Sequence, residues 1–146
     1  MILIDANLLL YAYDTSADSH RRAKEWLGQA MSKPEPISLS WITILAFLRI
    51  STDRRIFLRP LSIKEALNIV SEWLSSSTVH ILSPTDRHFE ILKSLLSAGQ
   101  AVGPLVMDGH LAALAIEHGA VLQTTDRDFA RFSGLKLLNP LEEGTG

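Results

Sequence analysis

The chain has 146 residues, no cysteine and a formal net charge of -2 at pH 7. That length holds one domain with a real core and is too short for two comfortable ones. With 47% hydrophobic residues, intrinsic disorder is excluded; a disulfide framework or thiolate zinc site is excluded as well, and nucleic-acid binding would have to come from a local basic patch.

Residues 1–4 are continuously apolar and read as a short, fully buried strand ending at Asp5. Residues 16–31 read as a helix, with Ala23, Trp26, Leu27 and Ala30 at helical spacing. The stretch SKPEP, residues 32–36, ends it. Residues 37–39 form a second strand, and Ser40 caps a helix from Trp41 to about residue 51. Pro60 and Ser62 open another helix reaching to about residue 75, with Ile63, Ala66, Leu67, Val70 and Leu74 expected inward. Residues 79–82 are a third strand, and Thr85 caps a helix to about residue 98. AGQAVG then leads to Pro104 as a first helical residue; that helix runs to His118, with Gly119 as its C-terminal cap. Residues 120–123 are a fourth strand and 136–138 a fifth. Strands separated by helices predict an α/β fold with a mainly parallel sheet, a single domain over residues 1–141 and a frayed tail over 142–146. No apolar run reaches the roughly 18 residues of a membrane span. The N-terminus lacks a basic region followed by a small-residue cleavage site. The expected location is the cytoplasm, without a membrane association.

In open parallel sheets, ligands bind at the carboxyl ends of the strands. Asp5 ends the first strand, Asp126 and Asp128 follow the fourth, and Asp108 opens the helix before it. Ala112, Ala115 and Gly119 follow Asp108 at steps of four, three and four. That small-residue stripe lets the helix lie close to the sheet and holds Asp108 near its edge. Taken singly, Asp5 reads as an N-cap for a helix starting at Ala6, Asp126 as a turn residue, and Asp128 equally as a cap or a site member. Together they would repel one another, and a divalent cation removes that cost. Mg²⁺ takes one or two carboxylates plus waters and phosphate oxygens, and lowers the pKa of bound water. The implied chemistry is phosphodiester hydrolysis.

The segments MILIDANLLLYAYD, SLSWITILAFLRI, VMDGHLAALAIEHGA and TTDRDFARFSGLKLLNPL resemble, in this order, the signature segments of PIN-domain proteins of the VapC toxin type. The resemblance covers residues 1–141. It implies a three-layer α/β/α sandwich with a central, mainly parallel sheet. It also implies Mg²⁺- or Mn²⁺-dependent endoribonuclease activity on an RNA substrate, as the toxin of a type II toxin–antitoxin pair. A VapB-like antitoxin would place a C-terminal segment in the acidic groove, and the protein would form a homodimer. Carried over by position, Asp5, Asp108 and Asp126 are the metal-binding and catalytic carboxylates, with Asp128 a fourth catalytic contributor. Asn7 and Thr124 are polar neighbours that orient ligands or water. One position departs: the family's Glu is replaced here by Ala46, although Trp41, Phe47, Leu48 and Arg49 around it fit the pattern. The acidic site is one carboxylate short, so weakened or absent activity is expected. A non-catalytic protein that only binds antitoxin or RNA is the alternative. An aspartyl phosphotransferase using Asp5 is a third reading, disfavoured because no Lys is well placed.

Arg49, Arg54, Arg55 and Arg59 cluster in sequence. Arg49 is read as an RNA-backbone contact, against a solvated face paired to Asp53. Arg127 and Arg131 read as charge balance for the acidic turn. The three tryptophans read as core or subunit-interface residues, and the five histidines as surface or structural ones.

Overall fold

The computed structural model describes residues 1–142, so the tail expected to fray lies outside the described residues beyond Glu142. Five short strands form one sheet in the order β3-β2-β1-β4-β5, every pair parallel. They are β1 (Ile2–Ile4), β2 (Ile37–Leu39), β3 (Val79–Ile81), β4 (Val121–Gln123) and β5 (Leu137–Leu138). The helices are α1 (Ala6–Tyr13), α2 (His20–Ser32), α3 (Trp41–Ser51), α4 (Ile63–Ser75), α5 (His88–Ala98) and α6 (Leu105–His118). A 3-10 turn covers Arg127–Arg131.

The three-layer sandwich follows from strand alternation. Ile2 and Ile4 point to one face and join Ile37, Leu39, Leu8, Phe47 and Trp73 in a core beneath α1 to α4. Leu3 points to the other face and joins Leu122, Leu95, Ala112, Leu114 and Phe129 beneath α5, α6 and the 3-10 turn. Both faces of β1 are therefore covered, which is why its sequence is continuously apolar. An aromatic cluster consolidates the first core: Phe47 and Trp73 ring centroids are 4.7 Å apart and edge-on, and Tyr13 meets Phe47 at 5.6 Å.

Several boundaries differ from expectation. The helix expected from residue 16 starts at His20, because the Asp14 carboxylate accepts from Ser16 N at 3.1 Å and Ser16 Oγ at 2.7 Å. That local turn competes with helix. The helix expected to be capped by Thr85 starts at His88; Thr85 Oγ1 accepts from Arg87 N instead. Pro104 is the N-cap rather than the first residue of α6. On α4 the inward row is Ala66, Val70 and Trp73, whereas Ile63, Leu67 and Leu74 are 58%, 47% and 40% exposed. α4 packs against α3 and β3 on one side only, so half its apolar circumference faces solvent. Ser62 and Glu65 form the reciprocal capping box at its start. Gly119 closes α6 with φ +68°, a left-handed geometry that glycine adopts without steric cost. No helix among the described residues is long and apolar enough to cross a membrane.

Candidate functional site

The strand order reverses direction at β1: β2 and β3 lie on one side, β4 and β5 on the other. Such a switch point opens a crevice at the carboxyl ends of the two central strands. Asp5 leaves β1 there, and its N–H donates to Gln123 O of β4 at 3.0 Å. The capping reading of Asp5 is realised, and the same carboxylate stands at the switch point. Its Oδ1 accepts from Ala6 N at 2.8 Å and caps α1, while its Oδ2 accepts from Thr124 Oγ1 at 2.8 Å.

Thr124 is the hub. Its hydroxyl oxygen accepts from Asn7 Nδ2 at 3.1 Å and from Asp126 N at 3.0 Å while donating to Asp5. One buried hydroxyl thus fixes Asp5, Asn7 and the start of the acidic turn. Asp126 in turn caps the 3-10 turn by accepting from Asp128 N at 2.9 Å. The capping role weighed for Asp128 therefore belongs to Asp126, and Asp128 is exposed to solvent at the rim.

Asp108 sits in the first turn of α6. Ala112 and Ala115, below it on the helix, are fully buried, and a Cβ placed at Gly109 would meet Leu96 Cδ2 at 2.5 Å. Small residues let α6 press against the sheet and α5, as the stripe predicted. The Asp108 carboxylate accepts no hydrogen bond among the described residues. Burial first, then the charges of Asp5, Asp126 and Asp128, push its carboxyl up from the ordinary 3.8 to about 6, while Arg131 pulls the other way. Arg131 is tethered for this by its Nη1 donating to Gly99 O at 3.0 Å. Asp5 is also raised, mainly by burial and in smaller part by Asp126, with the bonds from Thr124 and Ala6 opposing. The four aspartates therefore feel one another across the crevice.

Whether these residues suit a divalent cation can be tested on their donor atoms. Every candidate donor is an oxygen, the set hard cations take. Asn7 Oδ1 is buried with no partner among the described residues, an acceptor aimed at nothing the protein supplies. No group of three His, Asp or Glu side chains among the described residues is gathered closely enough to hold one ion directly. The arrangement fits an ion held by one or two carboxylates with water completing the shell. Ala46 lies half-buried on α3 and adds no donor.

Arg49 is not inside the acidic crevice. It lies one turn beyond Ala46 on α3, exposed, and lines a separate cleft of about 560 Å³ with Arg54 and Arg55. Arg55 pairs with Asp53 through two bonds of 3.0 and 3.1 Å. A cavity of about 650 Å³ lies elsewhere: Tyr13, His20, Lys24, Leu27 and Trp73 line it, and none of the four aspartates does. Sequence spacing concealed one polar chain. Glu117, whose side chain is fully buried, accepts from Thr85 N at 2.7 Å and meets His88 Nδ1 at 2.7 Å; His88 Nε2 lies 3.0 Å from His110 Nδ1. This ties α5 to the helix carrying Asp108. Residues 29 and 22 apart carry no periodic signal that would reveal it.

Known proteins are similar to this chain in sequence and in fold. A family model described as PIN domain matches residues 2–135. Ribonuclease VapC37 of Mycobacterium tuberculosis is 39% identical over 140 residues, covering 96% of this chain and 97% of its own. Ribonuclease VapC33 of the same species is 40% identical over 143 residues, covering 98% and 100%. Among solved structures, VapBC2 from Rickettsia felis bound to a DNA fragment of its promoter aligns with TM-score 0.66 at 21% identity, covering 95% of this chain and 98% of the other. VapC20 of Mycobacterium tuberculosis, described as a Sarcin-Ricin loop cleaving toxin, aligns with TM-score 0.67 at 17% identity, covering 93% and 99%.

Proposed function

Since the chain belongs to the PIN-domain family, we propose that it is a metal-dependent endoribonuclease and the toxin of a toxin–antitoxin pair, weakened by Ala46. The observation that carries this reading is the gathering of Asp5, Asp108, Asp126 and Asp128 around the switch point of the sheet, with Thr124 tying Asp5 to the acidic turn and the other three aspartates raising the Asp108 carboxyl. Relatives named ribonucleases match over nearly their whole length.

Mg²⁺ or Mn²⁺, when bound, supplies a polarised phosphoryl oxygen and a water acidic enough to attack phosphorus. The chain's own residues set the stage. Asp5 and Asp108 offer the ligating carboxylates, and Asp126 completes the negative wall. Thr124, by donating to Asp5 Oδ2, leaves the remaining lone pairs of that carboxylate to point at the ligand. Asn7 Oδ1, buried and without a partner among the described residues, is an acceptor available for a hydrogen bond from a ligand or water. Asp128, exposed at the rim, is the carboxylate free to take a proton as water attacks.

The test is cleavage of total RNA by purified protein with Mg²⁺ or Mn²⁺, beside Ala46→Glu and with chelator controls. Cleavage by either form, lost in Asp5→Asn and in chelator, supports the reading. If only the Glu form cuts, Ala46 is an inactivating change; if both cut, three aspartates suffice. Ala46 itself favours the second reading, a protein that binds antitoxin or RNA without cutting. Silence of both folded forms on RNA that contains the target favours it.

The antitoxin would be VapB-like. Homodimer formation would bury Trp41 and Leu45, which lie one turn apart on α3 and are 54% and 59% exposed.

A further inference from the structure

The segment 49–61 folds into a shaped basic cleft that the acidic site does not use. Phe57 is 3% exposed and anchors the loop, and Asp53 O accepts from the N–H groups of both Ile56 and Phe57 at 3.0 and 2.9 Å. Leu61 N closes the segment by donating to Ser51 O at 2.9 Å. Around the resulting hollow stand Arg49, Arg54 and Arg55, with Thr52, Asp53, Pro60 and Leu61. Asp53 engages Nε and Nη2 of Arg55, so the Arg55 fork is already spent on orienting that side chain. Arg49 and Arg54 form no ion pair among the described residues, and both are exposed. Two guanidinium forks therefore stand at one concave opening without an ion pair of their own, and the single carboxylate that lines it, Asp53, is engaged by Arg55 and feels Arg49 only through space. Arg59 stands on the same loop and adds to the positive field.

From this placement we propose that the cleft binds a backbone phosphate of the RNA, held by Arg49 and Arg54, at a position on the strand outside the acidic crevice. Arg49 follows Ala46, the position where the resemblance places the family's Glu, by three residues, one turn along the same face of α3. Guanidinium forks match phosphate oxygens in pairs, which a lysine cannot do. The chain carries net negative charge, and its crevice repels polyanions. A separate cationic anchor resolves the conflict: the carboxylates hold the metal while the arginines hold the strand. The proposal rests on the ribonuclease reading and extends it with an anchoring subsite.

The test measures binding of a fluorescein-labelled oligouridylate by anisotropy, in chelator so that no cleavage occurs, over roughly 50 to 200 mM salt. Arg49→Gln/Arg54→Gln is expected to weaken binding about tenfold at the low-salt end and to flatten the log–log salt dependence by about 0.7 for each phosphate no longer neutralised. Arg21→Gln/Lys24→Gln, on the exposed surface of α2, is expected to leave both unchanged. Arg49→Lys/Arg54→Lys, which keeps the charges, is expected to retain the slope and guards against an effect of misfolding. Unchanged affinity and slope in the glutamine variant overturn the proposal. So does equal weakening in both glutamine variants, which would mean diffuse attraction, or loss of binding to an acidic oligoglutamate peptide with RNA binding intact, which would mean a protein partner. Because no cleavage is read, the subsite and the nuclease reading fail independently.

Discussion

Asp108→Asn should make the metal-free protein more stable at neutral pH. The carboxyl has been lifted from 3.8 to about 6 by burial and by three neighbouring aspartates. Each tenfold change in proton affinity is worth about 1.4 kcal/mol, which sets an upper limit of about 3 kcal/mol. Asp108 is only half-buried, so solvent screening removes a good part of that. Its place in the first turn of α6 gives back roughly 0.5 kcal/mol through the helix dipole. About 1 kcal/mol remains, or about 3 °C in Tm for a chain of this size. The folded state binds this proton more tightly than the unfolded one, so the penalty is full above about 6 and fades as pH falls from there towards 3.8. Thermal melts of both proteins in chelator, at about pH 7.5 and about pH 5, should show an advantage for the variant that shrinks at the lower pH. No hydrogen bond to Asp108 is removed in the exchange, so the comparison isolates charge. Adding Mg²⁺ at a hundredfold excess over its Kd should then stabilise the parent protein by about 2.7 kcal/mol and the variant much less. A variant no more stable than the parent at the higher pH, or an advantage independent of pH, would refute the idea that repulsion is stored in this crevice.

Thr124→Val removes the hub hydroxyl at constant shape; it should cost about 2 kcal/mol of stability, and isothermal titration should show weaker Mn²⁺ binding because Asp5 and Asn7 lose their tether. Asp5→Asn should abolish metal-dependent protection from thermal unfolding. Trp73→Ala empties the aromatic cluster with Phe47 and Tyr13, and denaturant melts should show a loss of about 3 to 5 kcal/mol. Ser62→Ala breaks the capping box and should cost about 1 kcal/mol, read in the same melts.

Much of the architecture was readable because its causes are local. β1 is apolar without interruption since both its faces are covered, and the small stripe below Asp108 signals close helix packing. The convergence of Asp5, Asp126 and Asp128 was readable because they follow the ends of β1 and β4, neighbouring strands of the sheet, whereas Asp108 comes from the first turn of α6. What escaped was set by tertiary competition. Nothing in Ile63, Leu67 and Leu74 distinguishes them from Ala66 and Val70 until α3 and β3 choose a side of α4. Asp14 captured Ser16 and delayed α2, a contest between two local structures of similar energy. The hub role of Thr124 depends on residues 117 and 119 positions away, a distance no periodicity spans.

The chain from Glu117 through His88 to His110 has a directional consequence. An ionised Glu117 only accepts, so the His88 nitrogen facing it must carry a hydrogen. With His88 neutral, its far nitrogen accepts from His110, and the outer nitrogen of His110 is left bare. With His88 charged, its far nitrogen donates to His110 Nδ1 instead, the hydrogen of a neutral His110 sits on its outer nitrogen, and that nitrogen becomes a donor. The tautomer of a half-buried imidazole on one helix thus reads out the charge of a ring on the next, a state that nitrogen chemical shifts of His110 would display directly.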